Sequence, residues 1–501
     1  MSGNRLLLTG ARFWGAPDAE ALVVRGDRIA ALVPRGASDE WASLERVDLS
    51  GLTVLPGFID AHVHVLHTGL AETGWSVSLG GMTRQEALDR LHQVASERTD
   101  GQWIQASGWD ESTWTDRRML DRAALDRAVP DHPLIAIRVD GHLLAANSPA
   151  IERLPTGIPE HLVDRNAGHV REEAIHYVKQ RVQPGLEQQI EAVAGAARRF
   201  HAEGITSVHT MTPPKRFPAL RQACHAVSLR VAAYASSLAP WECIDQLAPQ
   251  DDPWFRVVGW KTFADGSIGA RNAAMSVAYA DGGCGALNHA DDDLRAWIRH
   301  AGHDDWATAV HAIGDRAIAQ VLDAHQAAGS PASLPHRIEH FEFPAKAQIQ
   351  RAVGDGIALC MQPNFVGNWS GPGGLYEEAI GEVRDRKGNP LRALVDAGAL
   401  LAFGSDGMPV SARYGIHSTV HAPASGQRLA VDEAVAAYTE TPARLVGESS
   451  DKGRLAEGLL ADLVVLREDP RHADRIDEID VVATMVGGRF VHGARNVGCN
   501  M

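Results

Sequence analysis

The chain has 501 residues, 45% of them hydrophobic and 22% charged, with 63 acidic against 48 basic side chains and a formal net charge of -15. That length exceeds one ordinary domain, so one large fold with an accessory domain or insertion is expected, and the composition fits a globular protein with little disordered tail. The acidic balance argues against nucleic acid or an anionic membrane surface as partner, and the sequence contains no run of about 18 apolar residues that could span a bilayer.

Residues 5 to about 55 read as short strands, at 6–8, 21–24, 28–33 and 46–49, with Gly26-Asp27 as a hairpin-like turn. The amino terminus offers one early Arg5 and only three leucines before a polar residue, too short an apolar core for a signal peptide. The run 54–64 follows, reading VLPGFIDAHVH. Strand side chains alternate with period two, so the one-residue gap puts His62 and His64 on one face as a chelating pair.

The next strand candidate lies roughly 140 residues on, too far for one crossover helix, so an inserted subdomain is expected at about 70–195. It carries a capping-box signal, Thr83-Arg84-Gln85-Glu86, followed by Leu88, Leu91 and Val94 at helical spacing. Two stretches, 108–111 with Trp109 and 139–142 with His142, suit either a lip over a substrate pocket or the core of the subdomain itself.

After the insertion a unit recurs: a helix-like stretch closes near a glycine, a brief apolar strand follows, and a polar or metal-competent residue ends it, as at 203–209, 354–362 and 397–406. Strand starts fall near 54, 204, 229, 255, 308, 336, 357 and 400. Eight such strands predict an α/β fold, a parallel (β/α)8 or TIM barrel. Strand texture returns at 461–466 and 481–491, where Gly487-Gly488 is a turn candidate.

In such a barrel the functional side chains come from the carboxyl ends of strands. On this count the first strand supplies His62 and His64, the fourth Lys261, the fifth His311, the sixth His340 and the eighth Asp406. A single histidine at a strand end is usually only a satisfied polar group; it is the strand order that carries the reading. Four imidazoles and a carboxylate suit zinc or a similar divalent ion. The Lys261 ammonium would repel a metal, unless carbon dioxide converts it to a carbamate able to bridge two ions about 3.5–4 Å apart. A lysine that only reaches solvent beside a single ion is the alternative.

Asp265 and Arg271, just past the fourth strand, suit substrate contact or a tight turn with a structural ion pair, and Asp315 and Arg316 suit capping of the next helix. Gln362 or Asn364, ending the seventh strand, could hydrogen-bond substrate; Trp109, Trp114 and Trp369 hint at an aromatic or apolar group on it. His67, His209 and His417 are not read as ligands. Cys224, Cys243, Cys284, Cys360 and Cys499 form no C-x-x-C pair, and their odd number and wide spacing suit reduced thiols and a cytoplasmic setting.

The segments PGFIDAHVH, VDGHLLAANSPAI, WKTFADGSIGAR, VHAIGDRA, RIEHFEF, FGSDGMP and GRLAEGLLADLVVL resemble the amidohydrolase superfamily, within it the YtcJ-like branch of metal-dependent hydrolases (amidohydrolase family 3), over nearly the whole chain. The resemblance implies a barrel domain over 56–449 and a small β-sandwich built from both termini, 1–55 and 450–501. It implies hydrolysis of an amide, N-acyl, N-formyl or carbamate-like C–N bond of a small molecule by metal-activated hydroxide. Carried over by motif, His62, His64 and Asp406 would bind one zinc ion and His311 and His340 a second, with carboxylated Lys261 bridging and Asp406 as general base. Homo-oligomerisation stays open. A ring deaminase of the same superfamily is the first alternative, although its usual glutamate three residues past the fifth-strand histidine is replaced by Gly314. A non-catalytic binding barrel is the second.

Overall fold

The computed structural model describes residues 5–98, 101–138, 143–155, 157–171, 173–237, 252–329 and 332–497. Eight parallel strands follow one another around a single sheet in chain order: β1 (Phe58–Val63), β2 (Ile205–Thr212), β3 (Arg230–Ser236), β4 (Phe255–Phe263), β5 (Ala307–Ala312), β6 (Arg337–His340), β7 (Ala358–Met361) and β8 (Leu401–Phe403). This is the expected TIM barrel. Alternating small residues make its interior fillable: Ala307 and Ala309 on β5, Ala358 and Cys360 on β7 and Ala402 on β8 pack with Tyr234 of β3 in one buried cluster.

The ring closes between β8 and β1. The Asp406 amide donates to the His62 carbonyl at 2.8 Å, and the Ser405 amide donates to the Asp60 carboxylate at 2.9 Å. A Cβ at Gly404 would lie 2.3 Å from the His62 backbone nitrogen, so the approach requires glycine.

One boundary differs from the sequence expectation. The run beginning at 54 is two strands: Thr53–Pro56 pairs antiparallel with Leu463–Leu466, and only β1 beyond it joins the barrel. The chain changes sheets at Gly57, where a Cβ would stand 2.4 Å from the Thr206 side chain. A five-stranded sheet holding Thr53–Pro56, Leu463–Leu466 and Val481–Val486 faces a four-stranded one made of Arg28–Pro34, Ala19–Arg25, Arg5–Thr9 and Glu45–Asp48. Leu6, Leu8, Leu22, Val24, Val54, Leu463, Val465 and Met485 fill the space between them. Leu7 and Val23 belong to a second cluster with Val33, as period-two alternation demands.

Leu66–Ala196 is a compact unit of its own, between β1 and β2 in sequence. It is built on a mixed six-stranded sheet. Its helix Arg84–Ser96 begins with the expected capping box and buries Ala87, Leu91 and Val94, while Leu88 is only partly buried. The Trp109 indole is fully buried, stacks on Trp114 with centroids 5.9 Å apart and donates to the Ala136 carbonyl at 2.9 Å. Trp109 therefore serves the core of this unit and offers no face to a ligand. His142 lies outside the described residues. Among the described residues no helix is long and apolar enough to cross a membrane.

Candidate metal centre

The carboxyl ends of β1, β4, β5, β6 and β8 bring His62, His64, Lys261, His311, His340 and Asp406 to one end of the barrel. Asp406 Oδ1 lies 3.3 Å from His64 Nε2 and 3.7 Å from His62 Nε2, and ligand atoms of these three residues lie within 4.8 Å of one another. The His340 ring is 5.0 Å from His62 and 4.4 Å from His311, centroid to centroid. Period two alone would send His340 to the face of Ile338. Its φ of +73° breaks the alternation and aims the ring at the other histidines, and Asp406 adopts a comparable φ of +51°. Such backbone costs of order 1–3 kcal/mol per residue and persists only where its surroundings enforce it.

Hydrogen bonds select which imidazole nitrogen remains for the centre. His62 Nδ1 bonds Glu339 Oε2 at 2.5 Å and His64 Nδ1 bonds the Met211 carbonyl at 2.9 Å, leaving both Nε2 atoms toward Asp406. His311 donates Nε2–H to the Gly266 carbonyl at 2.9 Å, which leaves its Nδ1. Burial, and after it the Lys261 charge, pushes His311 down to about 3. Burial likewise lowers His62 and, joined by repulsion from His311 and His62, takes His340 well below its ordinary value. His64 is raised, because Asp406 outweighs the opposing effect of burial. Burial works to raise Asp406, but His62 and His64 hold it well below the usual carboxylate range. The site is thus a carboxylate shifted toward its ionised form among four imidazoles, three of which are shifted toward the neutral form, the directions that ligation requires.

Two polar atoms of the set are buried without a hydrogen-bond partner, Lys261 Nζ and His340 Nδ1. Lys261 is 1% exposed, its amine 4.6 Å from the Phe263 ring centroid, and burial lowers it to about 8 against the pull of Glu339 and Asp406. Unpartnered buried donors and acceptors are costly. A divalent ion at the imidazoles and a carbamate on Lys261 would satisfy both, so the residues present fit the group.

Several expected substrate contacts have other work. Asp265 accepts the amides of Ala274, Ile313 and Gly314, tying the loop after β4 to the loop after β5, and burial raises it to about 6. Arg271, with φ +56°, pairs with Asp281 at 3.2 Å and caps the Ile268 carbonyl, the tight-turn arrangement. Asn364 is fully buried, donating to the Pro409 carbonyl at 2.7 Å and accepting from the Tyr438 hydroxyl at 3.1 Å. Gln362 is also buried, with Oε1 unpartnered. Asp315 does not cap its helix: Gly314 holds the N-cap position, and the Asp315 carboxylate accepts the Ser276 amide. Trp369 packs on Phe365, 4.4 Å away.

Sequence reasoning passed over Asp60, Arg337 and Glu339. Asp60 accepts the amides of His62 and Ser405 and the Ser405 hydroxyl, joining the β1 ligands to the Asp406 loop. Arg337 and Glu339 were legible as opposite charges two apart in a four-residue strand, RIEH, which must share one face and pair there.

The family model described as "Amidohydrolase family" matches residues 45–492. The putative amidohydrolase YtcJ of Bacillus subtilis (strain 168) is 27% identical over 89% of this chain and 90% of its own length. The N-substituted formamide deformylase of Arthrobacter pascens is 26% identical, covering 94% of each chain. Among solved structures, an uncharacterized metal-dependent hydrolase from Pyrococcus furiosus superposes with a TM-score of 0.80 at 26% identity, covering 93% of this chain and all (100%) of that one.

Proposed function

The chain belongs to the amidohydrolase family, and on that premise we propose that it hydrolyses an amide-like C–N bond of a small molecule at a two-zinc centre. His62, His64 and Asp406 would hold one ion and His311 and His340 the other, with a carboxylated Lys261 between them. The observation that carries this reading is the convergence of five strand ends on one ligand set, whose Lys261 Nζ and His340 Nδ1 are buried and unpartnered. When bound, the ions would supply Lewis acidity toward a carbonyl oxygen and lower the pKa of water.

The chain's own part is acid–base and positional. Asp406, ionised and 14% exposed, is the group able to take a proton from the attacking water and return it to the leaving nitrogen. Asp60 keeps the Asp406 loop against β1, and Asp265 keeps the loop beyond His311 in place. Deamination by the same fold would call for a glutamate at position 314, where any Cβ would lie 2.1 Å from the Ala274 carbonyl oxygen. The likeness to a formamide deformylase makes N-formyl amines the first substrates to try.

The test is a hydrolysis screen of N-formyl amines, N-acyl amino acids, cyclic amides and esters with zinc-loaded protein and a chelated control. Metal-dependent C–N cleavage is expected. Turnover that survives complete removal of metal, or cleavage of esters alone, would contradict the proposal.

A further inference from the structure

Arg337 and Glu339 form an ion pair in which neither side chain has any solvent exposure. The pair is bidentate: Arg337 Nε donates to Glu339 Oε1, and Nη2 donates to Oε2 at 2.9 Å. The same Nη2 donates to the Ala61 carbonyl at 2.6 Å, Nη1 reaches His209 Nδ1 at 3.1 Å, and the guanidinium lies 4.7 Å from the Tyr234 ring centroid. Glu339 Oε2 then meets His62 Nδ1 at 2.5 Å. Two side chains of β6 thus reach across the barrel interior to grip β1 twice, at the backbone of residue 61 and at the side chain of residue 62.

A buried ion pair is an expensive filler, since removing two charges from water costs several kcal/mol per ion, and a well-packed apolar pair of similar volume is often as stable. What an apolar pair could not do is hold an imidazole in one tautomer. A carboxylate accepting Nδ1–H leaves Nε2 with a free lone pair, fixes the ring plane and raises the basicity of the nitrogen that binds metal. A role for Glu339 as ligand is disfavoured by its partners: both its oxygens are taken, by Arg337 and by His62.

We propose that Glu339, clamped by Arg337, is a positioning residue that fixes His62 with Nε2 toward the centre and so sets the metal affinity of the ligand group on β1 and β8. The role rests on the metal-centre reading above. Glu339 touches neither substrate nor reacting atoms; it acts through His62. Arg337 acts through Glu339 and through the Ala61 carbonyl.

The test reads zinc affinity of the full chain by competition with a chromophoric chelator. Glu339→Gln leaves Arg337 an uncompensated buried charge and keeps an amide oxygen as acceptor, so the double variant Arg337→Met, Glu339→Leu, which removes both charges and the acceptor, is measured beside it. Zinc binding should weaken by about 10- to 100-fold in the double variant, while the melting temperature of the metal-free protein stays close to that of the parent. Affinity unchanged in a folded variant would overturn the proposal. Should both variants fail to fold, the parent protein labelled with 15N-histidine decides. His62, identified by the signal that a His62→Asn variant lacks, should carry its proton on Nδ1 in the metal-free state, and a proton on Nε2 would overturn the role. Absence of zinc binding by the parent would sink the metal-centre reading together with this one, whereas parent binding that the variant leaves intact sinks only the role of Glu339.

Discussion

The two sides of the ligand set are finished to different degrees by the protein alone. On the β1 and β8 side, His62 and His64 each have Nδ1 on a fixed acceptor, and Asp406 lies within 3.7 Å of both Nε2 atoms. On the side of β4 and β6, Lys261 Nζ and His340 Nδ1 are buried with nothing to bond. The first side is arranged by protein–protein hydrogen bonds before any ion arrives. The second carries a desolvation cost of about 1–3 kcal/mol per unsatisfied group, which ligation or carboxylation would remove. Preorganised and unsatisfied polar groups are thus divided between two sides of one barrel end.

The sharpest way to break this contrast is at Asp406. Asp406→Asn keeps an oxygen for ligation but removes the base, so turnover should fall by about 10²–10⁴-fold while much of the bound metal is retained, as measured by kinetics beside elemental analysis. Near-normal turnover would remove Asp406 as the base. Metal removal comes next in size. Zinc at a hundredfold excess over its dissociation constant should stabilise the fold by about 2.7 kcal/mol, seen as a fall in melting temperature on chelation; no shift would mean that the β4 and β6 wall needs no ion.

Smaller, and opposite in sign for stability and function, is Lys261→Met. Replacing a buried, unpartnered amine with an apolar chain should stabilise the metal-free protein by about 1–3 kcal/mol, while bound zinc falls from about two ions to one. Calorimetry and metal counting check the two halves, and a destabilised variant with metal content intact would show that Lys261 has a structural partner instead. Smallest is Trp109→Phe in the insertion. It loses one hydrogen bond to the Ala136 carbonyl, about 1 kcal/mol, and kcat should not move; a large change in KM would return Trp109 to the substrate pocket.

The barrel could be read from the sequence because its information is local: a glycine, four or five apolar residues and a polar stop, repeated, fix where each strand ends. The six proposed ligands could be picked out for the same reason, since each sits at such a stop. What the pattern did not carry is pairing across the barrel. Arg337 and Glu339 were passed over as neighbours of His340, yet beyond each other they bond Ala61 and His62, more than 270 residues away. Nor does period two convey backbone that leaves strand geometry: the φ of His340 decides which way that ring turns. Asp265 was read as either a substrate contact or a turn residue, and Asn364 or Gln362 as a substrate contact, because polar residues after strands commonly reach substrate; the bonds of Asp265 and Asn364 to loop backbone depend on loops meeting in space. The split at Gly57 was hidden in a run that is apolar on both sides of the turn.

The most direct test is a crystal structure of the zinc-loaded protein with anomalous data at the zinc edge. The account expects two peaks about 3.5–4 Å apart, one against His62, His64 and Asp406 and the other against His311 and His340, with density extending from Lys261 Nζ between them. A single peak beside an unmodified Lys261 would reduce the centre to one ion, and no peak at these residues would contradict the account outright.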